Sequence, residues 1–263
     1  MDTMELIETR KSVRTFDGRP LAAEDRVKLA DYIQGIPNPY GIPVKLMLLD
    51  AEEHDLSSPV IRGEHLYVAG TVKRQPHGEE AFGYSFEKLV LYAWSLGIGT
   101  TWIGGTLDRP HFEQVIGLEE SERMYAVSPL GYPAKEPSEV DATLRERVHG
   151  DERLPESELF FDGAFGNPLV TEDAMLADAL RAVRWAPSAV NGQPWRIVRE
   201  GNAFHFFEKH TRKPDPADYG DVQKIDMGIA LCHFLTVAGG ELVVEDPGIE
   251  HAQDVEYIAT VRV

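Results

Sequence analysis

The sequence is poor in the features that would place it in several large functional classes at once. It holds one cysteine, Cys232, so no disulfide can form within the chain and no cysteine-rich metal site is available. It has no basic excess, because 26 lysines and arginines stand against 44 aspartates and glutamates, for a net charge of -18. Nucleic acid and anionic membrane surfaces both require a basic stripe, so neither is expected as a partner. A few arginines focused in one place could still hold a phosphate. No uninterrupted apolar run approaches a membrane span, and the opening Met1-Asp2-Thr3-Met4-Glu5 lacks the basic-then-apolar grammar of a secretion signal. The expected compartment is the cytoplasm. Serine, cysteine and metal-hydrolase signatures are missing as well. The nine histidines include no H-E-x-x-H, and His205 and His210, five apart, have no third ligand in sequence, so no metal is expected.

What is present suits one large domain or two of ordinary size, since 263 residues at 43% hydrophobic content suffice for a packed core. An amphipathic helix is expected over 23–35, with Val27, Leu29, Ala30 and Ile33 as its apolar face. A turn rich in proline and glycine (37–43) leads to strands at 44–49 and 66–72. Over 79–96 the apolar positions Phe86, Leu89, Val90, Ala93 and Trp94 recur at helical spacing, and Leu91 and Tyr92 extend the apolar surface around the helix, which predicts central burial. A glycine-rich strand and turn (97–105), a helix at 110–116 and a strand at 124–130 close the first half at Gly131-Tyr132-Pro133. Periodicity fades and charge rises over 134–170, which reads as a crossover or linker with a short helix around 142–148. The second half offers a helix from 171, strands at 196–199 and 203–207, a buried helix at 222–238 ending in Gly239-Gly240, and strands at 242–245 and 256–263.

The order of elements in 1–133 repeats in 171–263: amphipathic helix, proline-rich loop, strands, buried helix, glycine pair, strand. Leu29-Ala30-Asp31 and Leu176-Ala177-Asp178 even match letter for letter. The motifs, however, are divided. Only the first half carries Arg10-x-Ser12-x-Arg14, whose two guanidinium forks lie together whether the stretch is extended or helical. Such a pair with a hydroxyl can hold a phosphate; the plainer reading is a solvated basic helix end. Only the first half carries Trp102-Ile103-Gly104-Gly105, where backbone can approach a ligand unobstructed. The run 97–105 is not a dinucleotide fingerprint, because Trp102 takes the third glycine position. Only the second half carries Ala186-Pro187-Ser188-Ala189-Val190-Asn191-Gly192-Gln193-Pro194-Trp195. In that stretch Pro187 should stop the preceding helix, and a hydroxyl and two carboxamides could grip a flat, polar-edged ligand. An ordinary proline-capped loop is the plainer alternative. Neither half holds a complete set.

These motifs, together with Gly131-Tyr132-Pro133, resemble those of the nitroreductase family of FMN-dependent oxidoreductases, and the position of the Pro-Ser-Asn loop in the second half resembles its tandem, pseudo-dimeric branch. The resemblance implies an α+β, nitroreductase-like fold with two pseudo-symmetric halves in one chain and a mixed sheet packed by helices. It implies one FMN, with Arg10, Ser12 and Arg14 at the phosphate and ribityl chain, Gly104 and Gly105 presenting backbone near flavin N5, and Pro187, Ser188 and Asn191 lining the ring. A basic residue after Gly-Tyr-Pro usually joins the phosphate; Lys135, Arg145 and Arg147 compete for that role, with Arg145 favoured. No side chain is expected to be catalytic, since the flavin would take a hydride from NAD(P)H and pass electrons to a small aromatic, quinone or nitro acceptor. A flavin-binding protein without activity, or an enzyme that remodels its flavin, are the alternatives. With both halves in one chain, a monomer or weak homo-oligomer is expected.

Overall fold

A computed structural model describes residues 2–211 and 220–263. The chain forms two compact units, one made of Thr9–Gly78 and Ser85–Gly150, the other of Asp2–Glu8, Glu79–Tyr84 and Asp151–Val263. Among the described residues the elements of the first half are α1 (Thr3–Thr9), α2 (Ala23–Tyr32), β1 (Val44–Asp50), β2 (Leu66–Lys73), α3 (Gly78–Ser95), β3 (Gly99–Thr100), α4 (Arg109–Val115) and β4 (Glu122–Gly131). Then follow α5 (Glu139–Arg147), α6 (Glu156–Leu159), β5 (Phe160–Asp162), α7 (Ala174–Trp185), β6 (Trp195–Glu200), β7 (Ala203–Lys209), α8 (Val222–Ala238), β8 (Glu241–Val243) and β9 (Val255–Arg262).

In the first unit four strands pair in the order β1-β2-β4-β3, all antiparallel. β2 is buried along almost its whole length, which is why Leu66-Tyr67-Val68-Ala69 shows a continuous apolar run in place of alternation. Its core joins Tyr67, Ala69 and Val127 from the sheet to Val13, Phe16 and Phe112. The helix expected over 23–35 is α2 followed by a 3-10 turn at Ile33–Gly35, and its apolar face is narrower than expected. Leu29 and Ile33 are buried, but Val27 is 58% exposed, because two residues before Leu29 lies about 200° around the helix.

In the second unit the order is β5-β6-β7-β9-β8, with β5 parallel to β6 and the other pairs antiparallel. The aperiodic stretch 134–170 thus carries more than a short helix. It holds α5, α6 and the edge strand β5, whose three residues were too few to show a period. Asp173 caps α7 by accepting from the amides of Met175 and Leu176. The helix stops at Trp185, and Ala186 adopts φ -56°, ψ 140°, the extended geometry that the following proline imposes.

The repeat is visible in topology. Leaving out β5, the second sheet runs β6-β7-β9-β8, the same first-second-fourth-third order as β1-β2-β4-β3, and each sheet has one irregularity between its second and fourth strands. The letter match of Leu29-Ala30-Asp31 with Leu176-Ala177-Asp178 is nevertheless out of register. Ala23 to Ala174 and Val44 to Trp195 are both offsets of 151 residues, whereas Leu29 to Leu176 is 147. A four-residue slip is about one helical turn and preserves the apolar face, so amphipathic pattern alone cannot detect it. Gly239-Gly240, likewise, is not the counterpart of Gly104-Gly105. Gly239, at φ +66°, ends α8 as Gly97, at φ +75°, follows the end of α3.

Within the second unit, the 79–84 part of α3 meets α8 at two glycines. A Cβ on Gly83 would overlap the carbonyl oxygen of Ile225, and one on Gly228 would overlap that of Glu80. The contact is reciprocal: each glycine meets the residue three places before the other, the signature of a two-fold relation between equivalent segments.

Candidate functional site

Arg10, Ser12 and Arg14 lie in the first unit just after α1, in extended chain. Val13 N donates to Thr100 O at 2.8 Å, and Ser12 bridges Thr100 in the same register. The approach is close enough that a Cβ on Gly99 would stand 2.8 Å from Val13, so this position requires glycine. Past Arg14 the segment is held by Gly131-Tyr132-Pro133. Asp17 N donates to Tyr132 O at 3.0 Å, and a Cβ on Gly131 would press on the Phe16 ring.

Three arginines of this unit then differ in what they hold. Arg14 is committed to Asp141, with Nη1 donating to Oδ1 at 3.0 Å and its own amide donating to Oδ2 at 3.2 Å. Asp141 sits one turn before Arg145 on α5, and the start of that helix is tied to Thr15 through Ser138. Arg10 is 8% exposed, its Nε lies 4.0 Å from Glu87 Oε1, and Nε has no hydrogen-bond partner among the described residues. Burial lowers the proton affinity of this guanidinium, Glu87 opposes that, and the charge of Arg145 adds to it. The charge of Arg145 therefore reaches Arg10. An anion placed here would meet an orphaned charged donor and relieve a repulsion between two cations.

Glu87, not singled out in the sequence, joins this cluster to the glycine turn. Its carboxylate accepts from Trp102 Nε1 at 3.0 Å on Oε2 while Oε1 faces Arg10, and Trp102 packs on Phe86 with ring centroids 4.5 Å apart. The only sign in the sequence is a glutamate within a helix expected to be buried, where it is wholly buried. Gly104 and Gly105 are exposed, and a Cβ on Gly105 would meet nothing within 4 Å, so the backbone there is open to a ligand. The turn is pinned from beneath by Arg109, whose Nη2 donates to Gly104 O at 2.7 Å and to Tyr125 O at 3.2 Å and whose Nη1 donates to Met124 O. A buried arginine at the first position of a helix works against the helix dipole, which is the sequence clue to its other employment.

The second unit carries Pro187, Ser188 and Asn191. Ser188 Oγ accepts from Gln193 N at 2.9 Å, and Ala189 N donates to both carboxylate oxygens of Asp226, a buried residue of α8, at 3.0 and 3.2 Å. Val190, Asn191 and Gln193 have φ of 49°, 58° and 47°, whereas Gly192 has φ -70°. Glycine is therefore not there for the left-handed region; a Cβ at Gly192 would crowd Ala189 O at 3.2 Å. A left-handed β-branched residue is unfavourable by about 1–2 kcal/mol, so the loop keeps its shape against local preference. The preceding strand of chain braces it. Asn191 Nδ2 donates to Glu152 O at 2.9 Å, Leu154 N donates to Gln193 Oε1 at 2.9 Å, and Arg153 lies over the Trp185 ring. The carboxamides foreseen as ligand groups thus also fix the loop itself.

No helix of the described residues is long and apolar enough to cross a membrane. None of the curated proteins compared with the chain matches it. Among solved structures, a "putative nitroreductase" from Thermotoga maritima MSB8 is similar over 100% of this chain and 94% of that one, at 19% identity and a TM-score of 0.64. A nitroreductase family protein from Clostridium difficile 630 is similar over 60% of this chain and 96% of that one, at 18% identity and a TM-score of 0.48. The first of these shares the fold. A family model described as "Putative TM nitroreductase" matches residues 2–238, nearly the whole chain, and the chain belongs to that nitroreductase family.

Proposed function

We propose that the chain is an FMN-dependent NAD(P)H oxidoreductase acting on a small aromatic, quinone or nitro acceptor. The observation that carries this reading is the buried guanidinium of Arg10, whose Nε is orphaned, beside the charge of Arg145. That pair suits the phosphate of FMN, with Ser12 adding a hydroxyl. Arg14, tied to Asp141, orients α5 and so sets the position of Arg145. FMN held here would supply the redox chemistry between a nicotinamide and the acceptor. The protein's own part is to bind and orient. The open backbone at Gly104 and Gly105, fixed by Arg109, would offer amide donors to the ring. The loop that carries Pro187, Ser188 and Asn191, the second unit's candidates for contacting a flavin, has a backbone that is already set, so little ordering would remain to be done on binding. One FMN per chain follows, since each motif occurs once.

The test is spectroscopic. The purified protein is expected to take up FMN on titration and to lose the yellow absorbance anaerobically when NADH or NADPH is added. A chain that never takes up FMN would overturn the reading, and one that binds FMN but resists reduction would leave a flavin-binding protein without this activity. Asn191→Ala is expected to weaken FMN binding with little change in the far-ultraviolet dichroism spectrum.

A further inference from the structure

Away from these motifs, Glu208, His210 and Asp221 each offer one ligand atom, and the three atoms all lie within 4.8 Å of one another. We propose that they form a binding site for one divalent transition-metal cation, with Zn²⁺ as the type ion, that ties the end of β7 to the start of α8. Glu208 and His210 are two apart where the strand ends, so they project to the same side. Asp221 arrives from the N-cap of α8. Donors bound to one such ion at about 2.0–2.2 Å lie roughly 3–4 Å apart, so the three need to close only slightly.

The second observation is Glu208 itself. It is fully buried, its Oε1 is 2.9 Å from His210 Nδ1, and its Oε2 has no partner among the described residues. A buried carboxylate oxygen left without a donor is costly, and a cation supplies what is missing. The surrounding charge points the same way. Asp221, Glu256 and Glu80 face Glu208 with like charge, and the cation that opposes them, Lys224, is bound to Glu256 at 2.8 Å. His210 Nε2 lies 3.5 Å from Glu256 Oε2, which gives the imidazole the outer carboxylate that commonly orients a metal-bound histidine when Nδ1 is the ligand. One imidazole and two carboxylates favour a transition metal over Mg²⁺ or Ca²⁺, which take all-oxygen shells. His205, five residues earlier, plays no part; it pairs with Thr260.

Equilibrium dialysis of the full-length protein against ZnCl₂, with metal and protein quantified, is expected to give one Zn²⁺ per chain, and thermal melting is expected to shift upward with Zn²⁺. His210→Ala and Asp221→Asn should each weaken binding about tenfold or more. Asp221→Asn should leave the metal-free melting temperature near wild type, since asparagine caps a helix as well as aspartate, whereas His210→Ala also removes the partner of Glu208 Oε1 and should lower it somewhat. Because these two positions are partly exposed, they remain informative even if Glu208→Gln fails to fold. Absence of Zn²⁺ uptake by the wild-type protein, or uptake undiminished in His210→Ala, would overturn the proposal.

Discussion

Arg10 is held in a buried position with its Nε unpaired and a second cation acting on it, an arrangement that favours an anion more strongly than it favours the empty fold. Arg10→Gln is accordingly expected to cut FMN affinity by about 10- to 100-fold, the scale of one charge-assisted hydrogen bond, measured by fluorescence titration with the flavin. The unfolding midpoint in urea should fall, because wholly buried Glu87 loses the cation that faces it, which outweighs the lost repulsion with Arg145. His205 gives a prediction of the opposite kind. Burial holds its proton affinity below the ordinary value, and its Nδ1 is 2.8 Å from Thr260 Oγ1. The unfolded chain therefore binds a proton near pH 6.5 that the folded chain refuses, so stability is full above that value and falls as the pH drops below it. His205→Asn should lose less stability than wild type between pH 7.5 and 5.5 in matched urea titrations.

At the scale of elements, the glycine contact between α3 and α8 is the most sensitive joint. Gly83→Ala and Gly228→Ala each drive a methyl into a helix carbonyl and should destabilise by roughly 1–3 kcal/mol or more, read as a lowered melting temperature. Because the contact is reciprocal, the two substitutions should have similar effects. Much of this level was legible in the sequence. The buried character of α3 and α8 followed from apolar residues on every side, and the end of α7 followed from Pro187. Less legible were features that depend on partners far along the chain. Val27 obeyed helical composition but not the burial direction, β5 was too short to show a period, and Gly83 and Gly228 carry no local sign of the carbonyls they meet. The same holds at the candidate site. Arg10 stands in a motif and Arg145 is suggested only by the family resemblance, whereas Glu87, Arg109 and Asp226, which hold the motifs in place, stand in the sequence only as charges among other residues.

For the whole molecule, the shared first-second-fourth-third strand order gives the duplication a basis that letter matches did not. The motifs have not been kept in duplicate, and this sets the expected stoichiometry. Saturating titration should give one FMN per chain, with the protein sedimenting as a monomer; two FMN per chain would mean that the second set of loops binds in a way its residues do not suggest.

The membership of the two units has a further consequence for how such a duplicated chain can change. Asp2–Glu8 and Glu79–Tyr84 belong with the second unit although they are encoded inside the first half, and Ile7 and Gly83 within them are fully buried. No single cut in the gene returns two self-sufficient proteins. A fragment ending at Gly150 would carry two segments stripped of their packing partners, and the remainder would lack both.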